Sequence, residues 1–128
     1  MDIKAFKMDG LGNDFVIIDN REQEINLSKD QIIKIGDRNN IGFDQIIFLG
    51  KKIGDIFPIR IYNPDGLEVG ACGNGSRCIA YLISRENNQK FVKIKANQKI
   101  LEAEILDEKI IRINMGSPKY NSYKDIPI

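Results

Sequence analysis

The sequence contains no histidine. That excludes a Ser-His-Asp or Cys-His nucleophilic arrangement and any metal site built on imidazole. Only two cysteines are present, Cys72 and Cys78, too few for a four-ligand zinc site or a disulfide-dense scaffold. Neither sign of charge is in excess: 19 Lys and Arg face 18 Asp and Glu, for a formal net charge of +1. The signs are interspersed, and Lys51-Lys52 is too short for a polybasic tract, so no nucleic acid is expected as a partner. No apolar run approaches the roughly 18 residues of a membrane helix. The opening MDIKAFKMDG lacks the apolar centre of a secretion signal, so no membrane is expected either. A soluble protein of the reducing cytoplasm fits these absences.

What remains is globular. A chain of 128 residues, 42% hydrophobic and 29% charged, has the size and composition of one domain with its own core. Ile3, Ala5 and Met8 alternate with lysines and predict a first strand, and Asp14–Asp19 (DFVIID) predicts a second. GLGND between them reads as a turn. Ser28 and Gln31 have capping-box spacing ahead of Ile32, Ile33 and Ile35, which predicts a short helix to about Asp37. Gln45–Leu49 and Phe57–Tyr62 read as strands, the latter closed by the turn signal Asn63-Pro64-Asp65-Gly66. Phe91–Lys95, Ile100–Leu106 and Ile110–Met115 read as a three-stranded meander, joined at Asn97-Gln98 and Asp107-Glu108.

One segment differs in character. From Cys72 to about Arg85 (CGNGSRCIAYLISR) the start is small and glycine-rich, and the middle is apolar around most of a helical circumference. Such a helix is a buried one. The expected fold is therefore α+β: a mostly antiparallel, curled, barrel-like sheet wrapped around one central helix. The tail from Gly116, with Pro118 and Pro127, reads as an exit segment.

Ala71-Cys72-Gly73-Asn74-Gly75-Ser76-Arg77-Cys78 is the sharpest candidate for chemistry. Each helical glycine costs about 1 kcal/mol relative to alanine, an odd choice for a core helix. Bare N–H groups at a helix start bind carboxylate or phosphate, and the same dipole lowers the pKa of a cysteine placed there. Cys72 could thus act as nucleophile or general base. Cys78 lies six residues on, about 240° around the helix, and reads as core packing. Asn13, Gln45 and Asn63 sit at turns near strand ends; as a set they supply uncharged amide donors and acceptors for a zwitterionic small molecule. Taken singly, each reads as a local cap or turn residue. Arg60 and Arg77 could bind a carboxylate but read more simply as solvated surface charge.

Five motifs, GLGNDF (10–15), IGFDQ (41–45), YNPDG (62–66), CGNGSRC (72–78) and INMGSP (113–118), stand in the order found in the diaminopimelate epimerase family. The chain resembles that family over nearly its whole length. The resemblance implies interconversion of LL- and meso-diaminopimelate, a lysine and peptidoglycan precursor, without pyridoxal phosphate, metal or other cofactor. It implies two cysteines facing each other across the α-carbon, with Cys72 as the first of them. Gly73 and Asn74 would bind substrate at the helix start, and Asn13, Gln45 and Asn63 would be further substrate contacts. Members of the family are longer, with two similar halves. The resemblance therefore implies that residues 1–118 are the N-terminal epimerase-like domain. Residues 119–128 would then be a crossover toward a C-terminal half carrying the second cysteine. As an isolated chain the protein is expected not to epimerise. A less favoured option is a homodimer in which two copies each offer Cys72 to a shared site. The competing readings are a related cofactor-independent racemase or isomerase, and a non-catalytic half-domain that serves as a partner module.

Overall fold

The computed structural model describes residues 5–10, 12–39, 41–70, 73–106 and 111–114. In chain order the elements are β1 (Ala5–Gly10), β2 (Asn13–Asn20), α1 (Lys29–Gly36), β3 (Gln45–Gly50) and β4 (Ile56–Tyr62). They continue with β5 (Glu68–Val69), α2 (Gly73–Asn87), β6 (Phe91–Ala96), β7 (Lys99–Ile105) and β8 (Ile111–Asn114). Ile3, the Asp107-Glu108 connection and the tail from Gly116 lie outside the described residues.

The strands form one sheet in the order β1-β2-β3-β4-β6-β7-β8, with β5 beside β4. Most pairings are antiparallel, as expected, and the meander of β6, β7 and β8 is where the sequence puts it. Two pairings are parallel, β2 with β3 and β4 with β6, so the sheet is mixed. Parallel neighbours need a crossover, and the two helices are those crossovers: α1 joins β2 to β3, and α2 lies between β4 and β6. One edge of β4 is shared, with Ile56–Ile59 paired to β6 and Ile61–Tyr62 to β5. The helix α2 touches β1 and β8, the two ends of the strand order, as well as β3, β6 and β7. A sheet whose two ends meet the same helix must curl around it.

The run from Phe15 to Asp19 is buried without alternation. A strand reads that way when both faces of the sheet are covered. Phe15 and Ile17 pack with Ile47, Leu49, Ile59 and Ile61 against Ile79, Ala80 and Ile83 of α2. Val16, Ile18 and Ile46 face the other way, toward Ile32 of α1 and Phe43. Cys78 is buried in the first of these clusters, as its spacing predicts. No residue of α2 before Arg85 is fully exposed, which is the buried helix that its composition requires.

Local signals explain where the elements stop. The Ser28 hydroxyl accepts the Gln31 N–H at 3.1 Å, while the Gln31 side-chain oxygen accepts the Ser28 N–H at 2.8 Å. This reciprocal cap satisfies two otherwise unpaired donors of α1. After β4, the Gly66 N–H donates to the Asn63 carbonyl at 2.9 Å, and Gly66 has φ +81°. A Cβ there would meet Lys29 Cγ at 2.4 Å, so the turn lies hard against the start of α1.

A polar network not read from the sequence ties the far end of β2 to α2. Asp19 is 2% exposed and accepts Arg21 Nε at 2.9 Å and Nη2 at 2.8 Å. Arg21 also donates to both oxygens of Glu86, in the last turn of α2, at 2.7 and 3.0 Å. Hydrogen bonds to Asp19 and Glu86 raise the Arg21 pKa well above its usual value. Among the described residues, no helix is long and apolar enough to cross a membrane.

Candidate functional site

Strand alternation groups the candidate amides. On β2 the residues facing α2 are Phe15 and Ile17, on β3 they are Ile47 and Leu49, and on β4 they are Ile59 and Ile61. Stepping back by two gives Asn13 and Gln45, and stepping forward by two from Ile61 gives Asn63. Gln45 is level with Phe15, and Ile46 with Tyr62, so the three amides belong to neighbouring strands at one end of the sheet. Gln45 Nε2 donates to Asn63 Oδ1 at 3.3 Å. Gln45 Oε1 is buried and has no hydrogen-bond partner among the described residues. An acceptor in that condition costs about 1–3 kcal/mol in desolvation. The turn uses only the backbone of Asn63, whose N–H donates to the Leu67 carbonyl at 3.0 Å. Its side chain is left for Gln45, which is more than a turn role requires.

Asn13 sits apart from that pair, and no hydrogen bond joins them among the described residues. It lines a shallow depression of about 450 Å³ with Asp9, Gly12, Asp14, Arg38 and Asp44. Sequence reasoning missed the charged cluster in its wall. Arg38 donates to both oxygens of Asp14, at 2.7 and 3.1 Å, and to Asp44 at 3.0 Å. The backbone N–H of Asp14 donates to the Asp44 carboxylate at 2.9 Å, and that of Asp44 to the Asp14 carboxylate at 2.8 Å. The Arg38 guanidinium, foremost through these hydrogen bonds, holds the Asp14 carboxyl well below the usual carboxylate range. Gly42, at φ +72°, lets Arg38 lie close: a Cβ there would meet Arg38 Cδ at 2.6 Å. The cluster fastens the loop before β3 to the start of β2, and thereby fixes where Asn13 and Gln45 begin their strands. The motif GNDF next to IGFDQ carries both aspartates, but nothing in their spacing announces that they meet across Arg38.

The glycine-rich segment forms the first turn of α2, starting at Gly73, with no acidic residue in it. The first four N–H groups of a helix have no partner within it, and they carry its positive dipole end. Cys72 immediately precedes this turn and lies outside the described residues. Ser76 is 0% exposed and its hydroxyl has no hydrogen-bond partner among the described residues. Arg60 is a surface residue paired with Glu68 at 2.9 Å, in keeping with its sequence reading. Arg77 departs from that reading. It is half-buried, with Nη1 3.2 Å from Asn74 Oδ1 and Nε 3.4 Å from the Ile111 carbonyl. The reason is tertiary: β8 returns past the start of α2, and the arginine is three residues along the helix from Asn74. The turn thus offers the helix-start N–H groups of Gly73 and Asn74, a carboxamide and a guanidinium, a set suited to an anionic oxygen group.

Comparison with known proteins gives a consistent result. The family model for diaminopimelate epimerase matches residues 5–121. The diaminopimelate epimerase of Pelagibacter ubique is 49% identical over 128 residues, covering 100% of this chain and 46% of that protein. The diaminopimelate epimerase of Acidiphilium cryptum is 40% identical over 123 residues, covering 95% of this chain and 44% of that protein. The chain thus spans about half the length of the curated relatives it matches. Among solved structures, a putative phenazine biosynthesis protein from Clostridium difficile aligns with TM-score 0.56 at 25% identity, over 73% of this chain and 34% of that one. A predicted epimerase from Pseudomonas aeruginosa aligns with TM-score 0.60 over 81% of this chain and 40% of that one; at 16% identity it speaks for the fold alone. With the family's pattern matched from β1 through β8 and both relatives aligned over 95% or more of the chain, the protein belongs to the diaminopimelate epimerase family.

Proposed function

We propose that these residues supply one side of a diaminopimelate epimerase site, acting on the LL and meso forms of a small zwitterionic amino acid. The observation that carries the reading is the Gln45–Asn63 pair, with its buried and unsatisfied Gln45 oxygen on the sheet face that meets α2. An acceptor held there suits an ammonium group. The N–H groups of Gly73 and Asn74 suit the carboxylate beside the reacting carbon. Asn13 borders the same sheet end and would contact the more distant part of the substrate.

In this reading Cys72 is the base on one face of the α-carbon. A thiol at the start of a helix is held toward thiolate by the dipole. The thiolate takes the α-proton, and the electron pair left on carbon delocalises into the carboxylate, where helix N–H donors stabilise the growing charge. A second thiol returns a proton to the opposite face. Cys78 does not fill that role, because it is packed in the hydrophobic core. The second thiol is supplied from outside these 128 residues, in the part of the relatives' length that the chain does not span.

The test is deuterium incorporation at the α-carbons of LL-diaminopimelate in D₂O, by the complete natural polypeptide and its Cys72→Ala variant. Incorporation that is lost with Cys72 is the expected result. Incorporation that survives Cys72→Ala unchanged would overturn the assignment of Cys72.

A further inference from the structure

We propose that Arg77 is a positioning residue of this site, acting through the carboxamide of Asn74; the inference rests on the reading that substrate binds at the first turn of α2. Its basis is a hydrogen-bond constraint. A guanidinium only donates. With Arg77 Nη1 at 3.2 Å, the group that Asn74 turns toward it must be the side-chain oxygen. The Asn74 NH₂ group then occupies the other arm of the planar carboxamide, and that end becomes a fixed donor. Without the arginine that oxygen loses its donor, and the acceptor end of the carboxamide is no longer held away from an anionic substrate.

Three further observations fix the guanidinium itself. Its Nε donates to the Ile111 carbonyl of β8 at 3.4 Å, so the side chain is held at both ends. A Cβ on Gly73 would lie 3.4 Å from Nη1, which places the cation back along the opening turn of the helix rather than out in solvent. Among the described residues no carboxylate forms an ion pair with Arg77. A cation is the wrong sign for a helix N-terminus, and a locally unfavourable choice of this kind belongs to function rather than to stability. The uncompensated charge and the oriented NH₂ both favour a carboxylate.

The proposal is tested on the complete natural polypeptide with Arg77→Met, Asn74→Ala and the double variant. Arg77→Met keeps the length of the stem and removes every donor. Loss of a hydrogen bond to a charged group predicts a rise of about tenfold in KM for diaminopimelate, with kcat changed by less than about threefold. Arg77→Lys, which keeps the charge and a donor, should recover part of the loss. If Arg77 acts through Asn74, the double variant is no worse than Asn74→Ala to within about twofold. Penalties that multiply in the double variant would overturn the proposal and leave Arg77 as a clamp between α2 and β8. A second readout needs no substrate: the side-chain amide signals of Asn74 in ¹⁵N NMR should shift and exchange faster with solvent in Arg77→Met. Unchanged Asn74 signals would overturn the proposal even if KM rises. A parent protein that does not turn over diaminopimelate would instead overturn the functional reading, and the Asn74 signals would still decide what Arg77 does.

Discussion

Ser76 carries a side chain that the fold buries without using. Its hydroxyl is fully buried, in the first turn of α2, with no hydrogen-bond partner among the described residues. Removing an unsatisfied buried hydroxyl removes its desolvation cost, while the small side chain still fits the same space. Ser76→Ala should therefore raise the unfolding free energy by about 1 kcal/mol, read as a higher urea midpoint at unchanged slope. A lower midpoint would mean that the hydroxyl is satisfied in solution. Residues of this kind separate what sequence can and cannot announce. Gly73, Asn74 and Gly75 stand out because glycine is costly in a helix, and that signal needs no partner to be seen. Gln45 and Asn63 gain their meaning from each other, across two strands and 18 positions, which only the strand register supplies. Arg77 was legible as a charge but not as a half-buried one, because the carbonyl that holds it belongs to β8.

At the scale of elements, local rules account for most boundaries and fail at the connections. The capping box, the Asn63–Gly66 turn and the Asn97-Gln98 turn are all local, and each falls where composition puts it. The two-residue strand β5 is too short to leave a pattern, and it exists because β4 has a free edge beyond its pairing with β6. The loop before β3 is held by charge as well as by the buried Phe43, and the charged part makes its attachment sensitive to pH. Asp14 has a depressed pKa in the folded protein, chiefly from its hydrogen bonds to Arg38. A carboxyl shifted down contributes stability that is complete above the ordinary aspartate value of 3.8 and drains away as pH falls below it. Acid titration of unfolding should show this loss below that value, and Asp14→Asn should flatten it. Equal low-pH slopes for the two proteins would show that the cluster is too solvated to matter.

The whole molecule depends on α2, around which the sheet curls and against which most of the core is built. Its C-terminal end is fastened by a network in which Arg21 bridges the buried Asp19 and the exposed Glu86. Arg21→Met should cost about 3 kcal/mol, because it removes both guanidinium hydrogen bonds from the buried Asp19 carboxylate. The double variant with Asp19→Asn should recover much of that loss, which chemical unfolding of the three proteins would measure. If the double variant is no better than the single one, the arginine matters for packing and not for charge. The sequence by itself determined the strands other than β5, the buried helix and the glycine-rich turn that opens it. Each of these follows from side-chain periodicity, backbone freedom or capping, which act within a few residues. Only the tertiary structure decided that β2 pairs parallel with β3, that β2 is covered on both faces, and that Arg38 and Arg21 fasten opposite ends of the same strand. Those outcomes are contacts between distant segments, and they are set by the closing of the sheet around one helix rather than by any local preference.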